Sequence, residues 1–125
     1  MTYYPSIEDV IAAHDRLIER FGGAVGLRDR AALESALARP QTGYYEDLIQ
    51  EAAALWESLS QNHPFLDGNK RTAVTVTAAF LRVNGYKLEF DDIEAFKFLV
   101  ELYANRKFRF SELEGWLREH ASPLR

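Results

Sequence analysis

The ten residues from Thr72 to Leu81, TAVTVTAAFL, carry no charge, and this run constrains the fold more than any other part of the chain. By propensity its β-branched VTVT stretch reads as a strand. Its length, the alanines around it and the stop signal at Gly85 read instead as a helix from Asn69 to Asn84. An uncharged helix of that length is apolar nearly all round, which places it at the centre of a bundle. We adopt the helix. The run is too short to cross a bilayer, which takes about 20 residues.

The rest of the chain supplies helices to pack around it. Ser6 precedes IEDVIAAHDRLIERF, where Ile7, Val10, Ile11, His14, Leu17, Ile18 and Phe21 form one stripe. Asp9 stands three residues after Ser6, in the spacing of a capping box, and Gly22 and Gly23 end the helix. A shorter helix over Arg28–Ala38 stops before Pro40. A third, Asp47–Asn62, is rich in strong helix formers and ends where Pro64 turns His63 out of the α region. Asp92–Tyr103 makes a fifth helix and Ser111–Glu119 a sixth, with Ser111 and Glu114 spaced as a capping box. The turn formers of RPQTGYYED leave room for a short hairpin near Arg39–Tyr45. The expected fold is all-α: a single compact helical bundle of about six helices around one buried central helix, in one domain over residues 1–125. With 47% apolar residues the chain is long enough to bury a core.

Composition removes several functions. There is no cysteine, so disulfides, thiolate nucleophiles and cysteine metal sites are excluded. Net charge is −4, against general nucleic-acid binding. The one basic cluster, NRKFRF around Arg106, Lys107 and Arg109, reads as a solvated turn, so no direct nucleic-acid binding is expected. The acidic stretch EFDDIE leads into a helix start, where carboxylates favour the positive end of the dipole. MTYYPSIEDV lacks the basic-then-apolar order of a signal peptide, and the expectation is a soluble cytoplasmic protein without a membrane partner.

Chemistry concentrates just before the uncharged run, in NHPFLDGNKRTAV. A helix that starts at Asn69 or Lys70 points its first, unpaired N–H groups back into this loop, which makes an anion site. Gly68 lets the backbone approach a ligand, and Lys70 and Arg71 add two cations. Such a nest suits a phosphate chain. Asp67 either pairs with one of those cations or holds a magnesium ion that bridges phosphate oxygens. His63 has the titration range of a general base for a hydroxyl proton. Asn69 can cap the helix or touch a phosphate, and Phe65 and Leu66 read as packing residues that plug the loop into the core. His14 and His120 read as structural. A solvated turn leading into a basic helix start remains the alternative reading of GNKR, and the common glycine-rich nucleotide fingerprints are absent.

HPFLDGNKRTA resembles the signature of the Fic/Doc superfamily, H-x-F-x-[DE]-G-N-G-R-x-x-R, at His63, Phe65, Asp67, Gly68, Asn69 and Arg71. HDRLIERFGG, GLRDRAALESALARPQ and AFLRVNGY look like the flanking blocks of its death-on-curing (Doc) branch. Lys70 and Val74 replace the motif's second glycine and second arginine, as the Doc branch does. The resemblance implies the Fido fold and a Doc-type toxin that moves the γ-phosphate of ATP, with magnesium, to a threonine of elongation factor Tu and so halts translation. By position, His63 resembles the base and Asp67 the residue serving the metal or orienting the acceptor. Gly68, Asn69, Lys70 and Arg71 resemble the phosphate-binding loop, with Arg20 as a further positive charge. TGYYED fails the family's self-inhibiting pattern [ST]-x-x-x-E-[GN] at its last position, so inhibition is expected in trans. The expected inhibitor is a Phd-like antitoxin whose C-terminal segment folds into an apolar groove beside the first helix. Transfer of AMP to a protein is the second enzymatic reading. A non-catalytic antitoxin-binding or regulatory module is the reading from another class.

Overall fold

A computed structural model describes residues 1–124. Local capping chemistry sets most element boundaries. Helix α1 (Ile7–Phe21) begins with a complete capping box: the Ser6 hydroxyl accepts the Asp9 amide at 3.1 Å and the Asp9 carboxylate accepts the Ser6 amide at 3.0 Å. Aspartates start three more helices, each accepting the amide three residues on. Asp29 starts α2 (Arg30–Ala38) and Asp47 starts α3 (Leu48–Gln61). Asp91 starts the fifth helix, over Asp92–Ala104. Such caps contribute about 1 kcal/mol each. The uncharged run is helical, within α4 (Asn69–Val83), and Asn84 closes α4 by donating its side-chain amide to the Phe80 carbonyl.

The helix buried on almost every side is α3, where Ile49, Ala52, Ala53, Ala54, Leu55, Trp56, Ser58, Leu59 and Ser60 are all buried. The small side chains of its AAA run let α4 approach closely. Helix α4, which the sequence places at the centre, buries Thr72, Ala73, Val76, Thr77, Phe80 and Leu81 against α3 but leaves Thr75, Ala79 and Val83 exposed. Absence of charge therefore marks a helix with one apolar face open, and burial followed the short residues of α3.

Two further expectations are corrected. Residues Arg39–Gln41 form a 3-10 turn with Pro40 buried, and no hairpin forms near Arg39–Tyr45. The sheet lies elsewhere: β1 (Tyr86–Leu88) pairs antiparallel with β2 (Ala121–Pro123), Lys87 opposite Ser122. Helix α5 is Asp92–Ala104, and α6 (Phe110–His120) starts one residue before Ser111. The first amide of α6, at Phe110, donates to the Glu57 carboxylate from α3 at 2.9 Å, and Glu114 bonds Arg118 and Gln50. The Ser111–Glu114 box is thereby displaced by tertiary partners. No helix among the described residues is long and apolar enough to cross a membrane.

Candidate functional site

The loop from His63 to Gly68 joins the two most closely packed helices, α3 and α4, and it is fastened from three directions. Below it, Phe65 is buried and stacks on the buried His14 ring, 3.8 Å between centroids and 5° from parallel. His14 Nε2 lies 2.7 Å from the Asp67 carbonyl oxygen, so Nε2 carries the proton and donates it to the loop backbone. His14 Nδ1 has no hydrogen-bond partner; Asp15 Oδ1 at 3.7 Å is too distant to serve as one.

From the side, the segment Ala24–Asp29 runs along the loop like a strand. Leu27 and Phe65 form an antiparallel bridge, the Leu66 amide donates to the Gly26 carbonyl, and the Arg28 and Asp29 amides donate to the Pro64 carbonyl. Arg28 then turns its guanidinium onto the carbonyls of Asn62 and His63. His63 sits at φ 49°, a left-handed conformation uncommon for a residue with a Cβ. Pro64 bars it from the right-handed α region, and Arg28 holds its carbonyl in the alternative. The His63 side chain is exposed. Arg28 is the site residue that the sequence hid. It reads there as the start of a helix, and nothing local signals its long reach.

Across the top, Asn69 clamps the loop. Its Oδ1 accepts the Phe65 amide at 2.9 Å and its Nδ2 donates to the Phe65 carbonyl at 3.0 Å. The side chain therefore does not cap α4, and one Nδ2 hydrogen is left over from the clamp. Phe65 does plug the core, whereas Leu66 points outward and is 58% exposed.

Helix α4 opens from Gly68 in the left-handed conformation, φ 74°, with no side-chain cap. The first amides of the helix are thus left for a ligand, at the positive end of the helix dipole. A side chain at Gly68 would be strained by that φ and would meet Ile18 at 3.3 Å. Asp67 forms no ion pair with Lys70 or Arg71. Its Oδ1 accepts the Gly68 amide at 2.8 Å and its Oδ2 the Ala24 amide at 3.3 Å. Gly23 makes the second contact possible, since a Cβ there would lie 2.7 Å from Asp67 Oδ2. The two cations diverge. Lys70 Nζ lies 4.7 Å from the Tyr103 ring centre, on the α5 side. Arg71 lies over Phe21 at 4.4 Å, beside Arg20, which lies over the same ring at 5.2 Å. Arg20 and Arg71 therefore share the Phe21 ring, and Lys70 stands on the Tyr103 ring instead.

For a metal, Asp67 is a lone carboxylate. No three acidic or histidine side chains cluster among the described residues. That donor set fits a hard cation such as magnesium, which takes one or two carboxylates and completes its shell with phosphate oxygens and water.

The fold and loop define a helical protein with an uncapped helix terminus and an exposed histidine at the other end of the same loop. The chain belongs to the Fic/DOC family, whose model matches residues 4–81. It is 42% identical over 112 residues to a protein of Mycolicibacterium smegmatis named Toxin Doc, covering 85% of this chain and 84% of that protein. It is 39% identical over 93 residues to Protein kinase doc of Escherichia phage P1, covering 71% and 73% respectively.

Proposed function

We propose that this chain is the toxin of a toxin–antitoxin pair and a phosphotransferase, moving the γ-phosphate of ATP to a hydroxyl of a translation factor, elongation factor Tu, and so inhibiting translation. The observation that carries the reading is the uncapped start of α4 at Gly68, with His63 exposed at the other end of the same fastened loop. The names of the two relatives, a toxin and a protein kinase, support it. The amides of Asn69, Lys70 and Arg71 hold the triphosphate with the Arg71 side chain, Gly68 lets the backbone come close while its own amide stays on Asp67, and Lys70 must swing from Tyr103 to join them. Asp67 would hold magnesium, which when bound would neutralise charge on the phosphate oxygens. The acceptor oxygen bonds to the γ-phosphorus while the bond from that phosphorus to the β,γ-bridging oxygen breaks. ADP leaves, and the hydroxyl proton passes to the His63 imidazole.

A groove beside the first helix supports the reading of inhibition in trans. An apolar groove of about 630 Å³ runs between α1 and α4, lined by Tyr4, Val10, Ala13, Val76, Ala79 and Phe80 among others. The C-terminal segment of a Phd-like antitoxin fits there as an amphipathic helix laid in a groove, folding as it binds.

The deciding experiment offers purified elongation factor Tu to the chain with magnesium and ATP labelled at either the α or the γ phosphorus. Label on the acceptor from the γ position alone, lost in His63→Ala, is the expected result. Label from the α position would make the chain an AMP transferase. No transfer to any protein, with growth arrest unchanged by His63→Ala, would make it a binding module.

A further inference from the structure

Helix α5 differs from every other helix of the bundle in how little of it is used. It buries a single residue, Leu102, while Phe98 and Leu99 are half-buried. Phe98 stacks on Trp116 of α6 and Tyr103 on Phe108, and these contacts fix one face of the helix to the core. An adjoining face, turned about 120° from the first, carries Ile93, Phe96 and Val100, which are 66%, 69% and 49% exposed. At 100° per residue these three fall within one stripe about 60° wide, so they form a continuous apolar line and not scattered exposures.

The charges at its two ends are of opposite sign. Glu89, Asp91, Asp92 and Glu94 gather at the start of α5, and Arg106, Lys107 and Arg109 follow its end. Asp91, Asp92, Arg106, Lys107 and Arg109 have no ion-pair partner among the described residues. Across the 13 residues of α5, about 20 Å at about 1.5 Å per residue, the surface runs from acidic through the apolar stripe, with Lys97 and Glu101 beside it, to basic. A surface of that pattern complements itself when a second copy is turned end for end. The acidic end of each copy meets the basic end of the other, and the apolar stripes meet in the middle. A two-fold interface requires such self-complementarity, in which residue i meets j and j meets i. A uniformly acidic or basic partner would match one end and be repelled at the other.

We propose that α5 is a homodimerisation surface, on which two copies of this chain pack their α5 helices antiparallel through Ile93, Phe96 and Val100, with the acidic and basic ends in register. One helix face per copy is small beside stable interfaces, which bury about 1,200–2,000 Å². The pairing is therefore reversible, with dissociation in the micromolar range or weaker. It is independent of the phosphotransfer reading, because no nucleotide, acceptor or antitoxin enters it.

The test is sedimentation equilibrium of the full-length chain without nucleotide, from low to high micromolar concentration, with circular dichroism confirming helix content. The wild type is expected to show a monomer–dimer equilibrium that weakens as salt rises. Phe96→Asp weakens it at least about a hundredfold, since it places a charge in the centre of the paired stripes. Two variants test the orientation. Glu89→Lys with Asp92→Lys and Glu94→Lys, which leaves Asp91 as the cap of α5, makes both ends basic, and Arg106→Glu with Lys107→Glu makes both ends acidic. Each alone weakens self-association about tenfold, and a mixture of the two restores it as a heterodimer. A chain that stays monomeric throughout overturns the proposal. So does a dimer indifferent to Phe96→Asp, or one that the mixture fails to restore, since association then uses another face or another orientation.

Discussion

The two flanks of α4 are built on opposite plans. At its start, almost every group of the loop is committed: His14 to the Asp67 carbonyl, Asn69 to both polar groups of Phe65, Arg28 to the His63 carbonyl, and Asp67 to two amides. Along its open side, Thr75, Ala79 and Val83 face α1 across an apolar groove with few polar groups to satisfy. Phosphoryl transfer depends on positioning to fractions of an ångström, and only a loop with its hydrogen bonds already spent on the fold holds that geometry. A partner that folds on arrival needs the reverse, an apolar surface open to many small adjustments. Under the proposed function one helix would serve both, because the two needs fall on different turns.

The largest effect expected is on chemistry without stability. His63→Ala lowers γ-phosphate transfer by about 10²–10⁴-fold, the usual contribution of a positioned base. Its melting temperature stays that of the parent, because the side chain is exposed. A melting temperature that fell along with activity would mean that His63 belongs to the fastenings of the loop.

His14→Ala tests the fastening from below. It removes the stack on Phe65 and the bond to the Asp67 carbonyl in a buried place, and should cost about 2–4 kcal/mol in denaturant melts. Activity should fall as well, although the His14 side chain is itself buried beneath the loop. Asn69→Ala follows at about 1–2 kcal/mol for the two lost bonds to Phe65, whereas Leu66→Ala, in the same loop but exposed, should stay within about 0.5 kcal/mol. Equal costs for Asn69 and Leu66 would remove the case for a clamped loop.

How much of this was legible in the sequence depends on the range of the interaction. Caps act over three residues, so Ser6 with Asp9 could be read directly and the box is formed. The helix over the VTVT stretch was legible because its boundaries, Asn69 and the Asn84–Gly85 stop, outweigh the strand propensity of four residues. The loop residues of the family motif stand out as a cluster, but their division of labour does not. Asn69 looks like a cap or a ligand and is a clamp, because its partner Phe65 becomes available only once the loop has closed. Interactions between distant segments left no local trace. Arg28 reaches His63, Glu57 takes the first amide of α6 from the Ser111–Glu114 box, and β1 finds β2 across two intervening helices. The exchange of α3 and α4 at the centre has the same origin. Charge content ranks helices by the chance of burial, but the alanines of α3 decide which one its neighbours can surround.

On the groove side, Ala79→Arg should leave the fold within about 0.5 kcal/mol of the parent, because Ala79 is exposed, and should leave phosphate transfer unchanged. Antitoxin affinity, measured by calorimetry, should fall at least about tenfold as a long cation enters the apolar floor. A variant that loses transfer but keeps the antitoxin would show that the two flanks are coupled, against the division argued above.

The smallest effect is a pH dependence confined to the groove's edge. Asp9 lines the groove and completes the α1 capping box. The Ser6 amide, followed by the Ser6 hydroxyl, holds the Asp9 carboxyl below its ordinary value of 3.8. Because the folded value is the lower one, the unfolded chain binds the proton more readily. The contribution of Asp9 is therefore complete above the ordinary value and is lost as pH falls through the folded one. Below about pH 4 the first turn of α1 should fray, with faster amide exchange at Asp9 and Val10, while the Phe65 amide, held by a side-chain amide that does not titrate, keeps its protection. Asp9→Asn should reproduce the fraying at neutral pH and abolish this acid step. If the Phe65 amide lost protection over the same pH range, the loop would share the fate of α1's first turn, and the mouth would not be the independently fastened region described here.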